Sequence, residues 1–229
     1  MSVKFWSFAA IVALAAYLIG SVSFAVIVSR VGAQDDVRRH GSGNAGMTNI
    51  LRNYGKKMAA FTALGDFGKG IVAVAVGRMI FTLAGITVLD GGYIAGFFVV
   101  LGHLFPLYFG FKGGKGVLTS LGVVLMLNWV VFALLVVLLL PVVFIVKIVS
   151  LTVIIGYILF PFFTLLINYI EGQPLLFNFA FALLMSCLGA FMHRENIKRA
   201  PPAKDRSVPG NAGPCRHYTP CSRRSSATS

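Results

Sequence analysis

A chain of 229 residues with 57% apolar residues, 12% charged ones and a mean hydropathy of +0.84 holds too much hydrocarbon-compatible sequence for one water-soluble core. Its formal net charge of +13 falls in clusters between long apolar runs, as in loops between membrane spans, and such a balance suits anionic lipid headgroups or phosphorylated metabolites. Nucleic acid is not expected, because no soluble segment is long enough to fold as a binding module, and three scattered cysteines argue against a disulfide framework.

In chain order, the first apolar run is Phe5 to Val28. It has the roughly 20-residue length of a full span rather than that of a signal-peptide core, no small-residue cleavage site follows it, and more spans come after. The loop behind it runs from Arg39 through Gly41, Ser42, Gly43, Asn44, Gly46, Thr48 and Asn49 to Arg52. Its glycines let backbone amides close on an anion, its short polar side chains add hydrogen bonds, and Arg52 can grip an oxyanion through two donors. The run also fits G-x-G-x-x-G, but that dinucleotide fingerprint needs a preceding strand, and here a membrane span precedes it. A merely flexible glycine-rich loop is the competing reading.

The second span is read as Met58 to Leu83, with Asp66 and Lys69 inside it. Charges there are costly unless they face the protein interior or each other, and spacing of i,i+3 permits a pair. The third span, Gly92 to Phe111, contains Pro106, which predicts a kink, and His103, which reads either as a packing or capping residue or as a ligand. Lys112, Gly113, Gly114, Lys115 and Gly116 follow. They resemble a P-loop in composition, yet Phe109 and Gly116 stand where its first glycine and its Ser or Thr should be. What remains is flexible amides plus a lysine charge in front of a helix N-terminus, a phosphate-binding arrangement without the nucleotide.

From Val117 to Val146 the chain is apolar but long for one helix, and Asn128 with Trp129 predicts a tight hairpin between two short spans. Lys147 follows, and Ser150 and Thr152 then offer hydroxyls at the same membrane face. Two further spans, Leu151 to Tyr169 and Leu175 to Met192, are separated by a turn at residues 171–174. After the last, His193 and Asn196 share a helical face if the helix continues, where an imidazole could accept a hydroxyl proton; a solvated boundary histidine is the alternative. The tail from 200 to 229, rich in Pro, Arg and Ser, reads as disordered. Its Cys215, His217 and Cys221 lack a second ligand pair, so no metal site is expected.

Seven transmembrane helices result, an all-α polytopic membrane protein. Alternating them collects Arg30, Arg38, Arg39, Arg52, Lys56, Lys57, Lys112, Lys115, Lys147, Arg194, Lys198 and Arg199 on one face. Cations mark the cytoplasmic side, so the N-terminus is expected outside and the C-terminus in the cytoplasm; Lys4 and Arg78 are the exceptions.

Three segments in this order, GSGNAGMTNILR, GHLFPLYFGFKGGKGV and HRENIKR, closely resemble the membrane-integral acyl-phosphate:glycerol-3-phosphate acyltransferases of bacteria, over a stretch from Tyr17 to Arg199. The resemblance implies seven helices in the bacterial inner membrane, with the motifs at the cytoplasmic face. It implies transfer of an acyl group from acyl phosphate to the 1-hydroxyl of glycerol 3-phosphate, giving lysophosphatidic acid and phosphate, the first acylation of phospholipid synthesis, without cofactor or metal. Glycerol 3-phosphate, acyl phosphate and membrane lipids are then the partners; no protein partner is inferable. By motif, Ser42, His193 and Asn196 are the implied catalytic residues. Gly41, Gly43, Asn44, Thr48, Asn49, Arg52, Lys112, Gly113, Gly114, Lys115, Gly116 and Ser150 are the implied phosphate-binding ones. The family's last motif continues with a glutamate that is missing here, where Ala200-Pro201-Pro202 follows, so an altered or frameshifted terminus is expected. The rival class is a transporter or channel for a phosphorylated anion; it would need inverted repeats and a midplane site, which the sequence does not display.

Overall fold

A computed structural model describes residues 2–146 and 149–194, which contain α-helices, two short 3-10 turns and no strand. The helices are α1 Val3–Gly20, α2 Phe24–Ala33, α3 Met47–Tyr54, α4 Lys56–Leu83, α5 Gly91–Leu104, α6 Val117–Leu127, α7 Trp129–Val146, α8 Val149–Ile170 and α9 Leu175–Met192. Among the described residues, six stretches are long and apolar enough to cross a membrane, counting α1 with α2 as one, and α6 is shorter. Lys147, Asn196, Lys198, Arg199 and the tail lie outside the described residues.

The expected first span is two helices. Between them, the Ser21 hydroxyl donates to the Tyr17 carbonyl at 2.9 Å and accepts from the Leu107 amide at 3.2 Å. Lys69 from α4 donates to the carbonyls of Gly20 and Val22, so the acceptors freed by the break are satisfied from another helix. The expected kink at Pro106 is instead a stop: α5 ends at Leu104, and Pro106 opens the 3-10 turn Leu107–Phe109. A proline disfavours helical geometry in the residue before it, and the chain leaves the helix there.

The hairpin at Asn128 is present. Asn128 ends α6 and starts α7, its side-chain oxygen accepting from the amides of Val130 at 2.9 Å and Val131 at 3.2 Å, as an N-cap does.

Close helix approach depends on small residues, as expected where lipid competes equally well for apolar side chains. A Cβ on Gly102 would stand 2.3 Å from the Tyr17 carbonyl oxygen, locking α5 on α1; one on Gly122 would stand 2.1 Å from that of Phe67, locking α6 on α4. The main core gathers Val12, Val74, Val99, Val100, Val123 and Met185 from five helices. A second, smaller core of Ala25, Val26, Val37, Ala45, Ile50 and Ala59 lies under the first loop and fixes it to α2 and α4. At the other end Arg78 pairs with Asp90 at 2.7 Å and donates to the last carbonyls of α6, those of Met126 and Leu127. This exception to the charge rule is thus a neutralised helix cap.

The segment 105–116 joins α5 to α6, and its polar backbone finds partners within the protein: Phe111 N donates to Pro106 O, Gly114 N to His103 O, and Gly113 O accepts from Ala45 N.

Candidate active site

The first glycine loop is built around one buried side chain. Asn49, 3% exposed, donates through Nδ2 to the carbonyls of Val37, His40 and Asn44 at 3.0 to 3.1 Å, and its Oδ1 accepts from Ser42 N and Asn53 Nδ2. Gly41 and Gly43 take positive φ, 56° and 69°, which lets the backbone curl round the amide. A Cβ on Gly41 would stand 2.4 Å from Asn49 Oδ1. Ser42, Gly43, Thr48 and Arg52 are left exposed.

An ion-pair frame holds the loop from behind. Asp36 pairs with Arg38 at 2.7 Å and Arg30 at 3.0 Å, and the Arg38 hydrogen bond holds its carboxyl well below the usual carboxylate range despite partial burial. Burial and a 2.8 Å bond to Asp35 push the Tyr54 phenol up to about 12; Asp35 also meets His40 Nε2 at 2.6 Å. Arg30 and Arg38 therefore serve the frame. Arg39 and Arg52 stand exposed beside it.

The two glycine loops dock on each other. Ala45 N donates to Gly113 O at 3.2 Å, and Arg38 Nη1 donates to Phe109 O at 2.6 Å. At the turn, a Cβ on Gly113 would stand 2.0 Å from the His103 carbonyl oxygen, and one on Gly114 2.2 Å from His103 Nε2. Only glycine fits such an approach. Gly116, at φ +80°, then starts α6. Lys115 leads into a helix N-terminus, where unpaired amides and the helix dipole favour an anion.

The end of α9 reaches the same region. His193 is buried, and its Nδ1 lies 2.9 Å from the Gly189 carbonyl. A carbonyl only accepts, so Nδ1 carries the hydrogen and Nε2 is an acceptor. Burial, against that bond and with help from the Lys115 charge, holds the imidazole below its ordinary pKa. Lys115 is thus close enough to act on His193 electrostatically. The His193 ring stands 6.1 Å from that of Tyr157, whose hydroxyl lies 3.3 Å from Ser120 Oγ on α6.

Tyr157 also borders an apolar cavity of about 220 Å³ between α6, α7 and α8. Val124, Leu135, Leu139, Val143 and Phe160 form its walls, and Ser120, Thr152 and Tyr157 are also among the residues that line it. One rim is Val117, two residues after Lys115.

The structure therefore brings together Gly113, Gly114, Lys115, Gly116 and His193, and ties Asn44, Asn49 and the glycines of the first loop to them through Ala45. Lys112 is exposed at the same turn, and Ser150 lies in the first turn of α8, two residues from Thr152 of the cavity. Asn49, expected to face a ligand, spends both ends of its amide on the loop. Tyr157 and Ser120 have no local signal in the sequence, being a tyrosine and a serine inside apolar runs, and only the tertiary structure brings their hydroxyls together.

The chain matches the family model for glycerol-3-phosphate acyltransferase over residues 10–201. A glycerol-3-phosphate acyltransferase of Clostridioides difficile (strain 630) is 40% identical over 198 residues, covering 86% of this chain and 94% of the relative. One from Pseudomonas fluorescens (strain Pf-5) is 49% identical over 121 residues, 53% of this chain and 59% of the relative. The fold is similar to crystal structures of PlsY (YgiH), an integral membrane glycerol 3-phosphate acyltransferase. Its glycerol 3-phosphate form superposes with a TM-score of 0.70 at 34% identity, covering 83% of this chain and 90% of that one. Its lysophosphatidic acid form gives 0.67 at 32%.

Proposed function

The chain belongs to the glycerol-3-phosphate acyltransferase family, and we propose that it moves a fatty acyl group from acyl phosphate to the 1-hydroxyl of glycerol 3-phosphate, at a site formed by the two docked glycine loops and His193. It is a multi-pass membrane acyltransferase. What supports the finer reading is that Lys115, at the α6 N-terminus, acts electrostatically on the buried His193, whose ring neighbours Tyr157 at the edge of an apolar cavity.

Acyl phosphate is a mixed anhydride and needs little further activation, so the protein's part is to place two phosphates and align a hydroxyl with the acyl carbon. Arg52 and Lys115, with the amides of Gly113 and Gly116, are the phosphate ligands in this reading, while the Gly114 amide is held by the His103 carbonyl; Ser42, Asn44 and Thr48 complete the polar wall, and Lys112 and Ser150 stand at its rim. Asn196, outside the described residues, belongs with His193 by motif. The hydroxyl oxygen bonds to the acyl carbon and the bond from that carbon to the phosphate oxygen breaks. The departing phosphate takes the proton of the attacking hydroxyl, while His193 Nε2 accepts a hydrogen bond from the other hydroxyl of glycerol 3-phosphate and so orients the nucleophile, and Lys115 offsets charge on the phosphate. No covalent enzyme intermediate is required.

The cavity between α6, α7 and α8 receives the acyl chain. Because lipid tails are as apolar as leucine side chains, moving the chain from bilayer to cavity contributes alignment more than affinity.

The test is a donor comparison on purified protein in detergent. Palmitoyl phosphate should support lysophosphatidate formation where palmitoyl-coenzyme A does not, and Arg52→Ala and Lys115→Ala should each lower kcat/KM by at least 100-fold, the loss of one charge-assisted contact costing about 3 kcal/mol. Equal use of the thioester, or full activity of both variants, would contradict the assignment.

A further inference from the structure

Three ionisable side chains outside the phosphate site share the interior of the membrane-spanning bundle. Asp66 and Lys69 of α4 and His103 of α5 are 2%, 5% and 5% exposed. Asp66 Oδ1 stands 3.0 Å from Lys69 Nζ and 3.4 Å from His103 Nδ1, electrostatic contacts without full hydrogen-bond alignment. Lys69 turns its remaining donors on the α1–α2 break, to Gly20 O at 3.1 Å and Val22 O at 2.7 Å. Such a buried charge cluster carries a desolvation cost that an apolar packing would not.

What the cluster touches suggests why it is kept. The carbonyl of His103 accepts the Gly114 amide at 3.2 Å, and its Nε2 occupies the space where a Gly114 side chain would begin. The adjoining Gly113 carbonyl holds Ala45 of the other loop. Both faces of the turn before Lys115 are thus set by His103, and the His103 imidazole in turn stands against Asp66, whose carboxylate Lys69 holds.

We propose that Asp66, Lys69 and His103 form a buried positioning cluster that holds the Gly113–Gly114 turn, and through it Lys115, in the geometry that receives phosphate. The role is indirect: none of the three lines the apolar cavity, and their influence on substrate passes through backbone. By tying the α1–α2 break to the same network, Lys69 also joins the helix pair below the first loop to the turn of the second. The proposal rests on the reading that Lys115 meets a phosphate of the substrate.

The test uses full-length protein in detergent with His103→Asn, which keeps a side-chain amide toward Asp66 but empties the space beside Gly114, together with Asp66→Asn and the double variant. Thermal unfolding, affinity for glycerol 3-phosphate from ligand-induced thermal shift, and kcat and KM are measured on folded fractions. His103→Asn should raise the KM and the dissociation constant for glycerol 3-phosphate at least tenfold, with kcat reduced less than threefold. The double variant should be no worse than the worse single one, because both act through one turn. Unchanged glycerol 3-phosphate affinity in folded His103→Asn, or losses confined to the unfolding temperature, overturns the cluster's role. An Asp66→Asn chain that fails to fold leaves His103→Asn to decide. Failure of the parent itself to bind glycerol 3-phosphate would instead sink the phosphate reading on which the cluster's role depends.

Discussion

Asn49 illustrates how a residue type can be legible while its task is not. A glycine-rich run with Ser, Thr and two Asn announces a hydrogen-bonding loop, but the direction of each side chain depends on the small core beneath it, made by residues from α2, α3 and α4. With Asn49 turned inward, Asn49→Ala removes one of the two bonds to each of the carbonyls of Val37, His40 and Asn44, which keep a backbone amide, and takes the acceptor from Ser42 N. At about 0.5–1.5 kcal/mol for each hydrogen bond lost, activity should fall about tenfold or more and the unfolding temperature should drop, both checked on the same purified variant. His193 supports a second expectation. Its pKa is held below the ordinary imidazole value of about 6.5, so the neutral, acceptor form persists as pH falls and the acid limb of kcat should lie below about 6.5. For a depressed histidine, the stability owed to its neutral form is present above the unfolded pKa and fades below it, so unfolding temperature should also fall under about pH 6.5. An acid limb above pH 7 in the pH–rate profile would contradict this placement of His193.

The helices differ in how much of them could be read. Asn128 marked the hairpin inside the Val117–Val146 run because a polar residue at the middle of a long apolar stretch has few other uses, and the structure adds the two amides it caps. Asn128→Ala should cost about 0.5–2 kcal/mol as a lost cap, seen as a lower unfolding temperature with little change in KM. Circular dichroism melts in detergent check it, and an unchanged melt would deny the cap its weight. The break between α1 and α2 was hidden, since the cation that satisfies it, Lys69, is supplied from a different helix 47 residues away. The stop at Leu104 was misread as a kink for a related reason: the pairing that lets the chain leave the helix at Pro106 comes from Ala45, Ser21 and His103, all distant in sequence or dependent on the fold. Local pattern located the elements; partners across the bundle decided their ends.

For the molecule as a whole, the bias of Lys and Arg to one set of loops was sufficient to foresee that the phosphate-type segments meet at one face. Arg78, the exception, is paired with Asp90 and helix carbonyls. The charge bias leads us to propose an outside N-terminus, for which a cysteine placed at Arg39 should resist a membrane-impermeant maleimide in intact cells while one at Glu171 reacts, in a background lacking Cys187, Cys215 and Cys221. The reverse pattern would invert the orientation.

The loops gathered at that face are proposed to form one acyl-transfer site and not a conduit for an anion. The deciding experiment reconstitutes the purified chain in proteoliposomes with radiolabelled glycerol 3-phosphate and palmitoyl phosphate, and follows lysophosphatidate, inorganic phosphate and label trapped in the lumen. One phosphate released per lysophosphatidate formed, abolished by Lys115→Ala and without trapped glycerol 3-phosphate, is the predicted result. Accumulation of unmodified glycerol 3-phosphate in the lumen with no acylated product would contradict it.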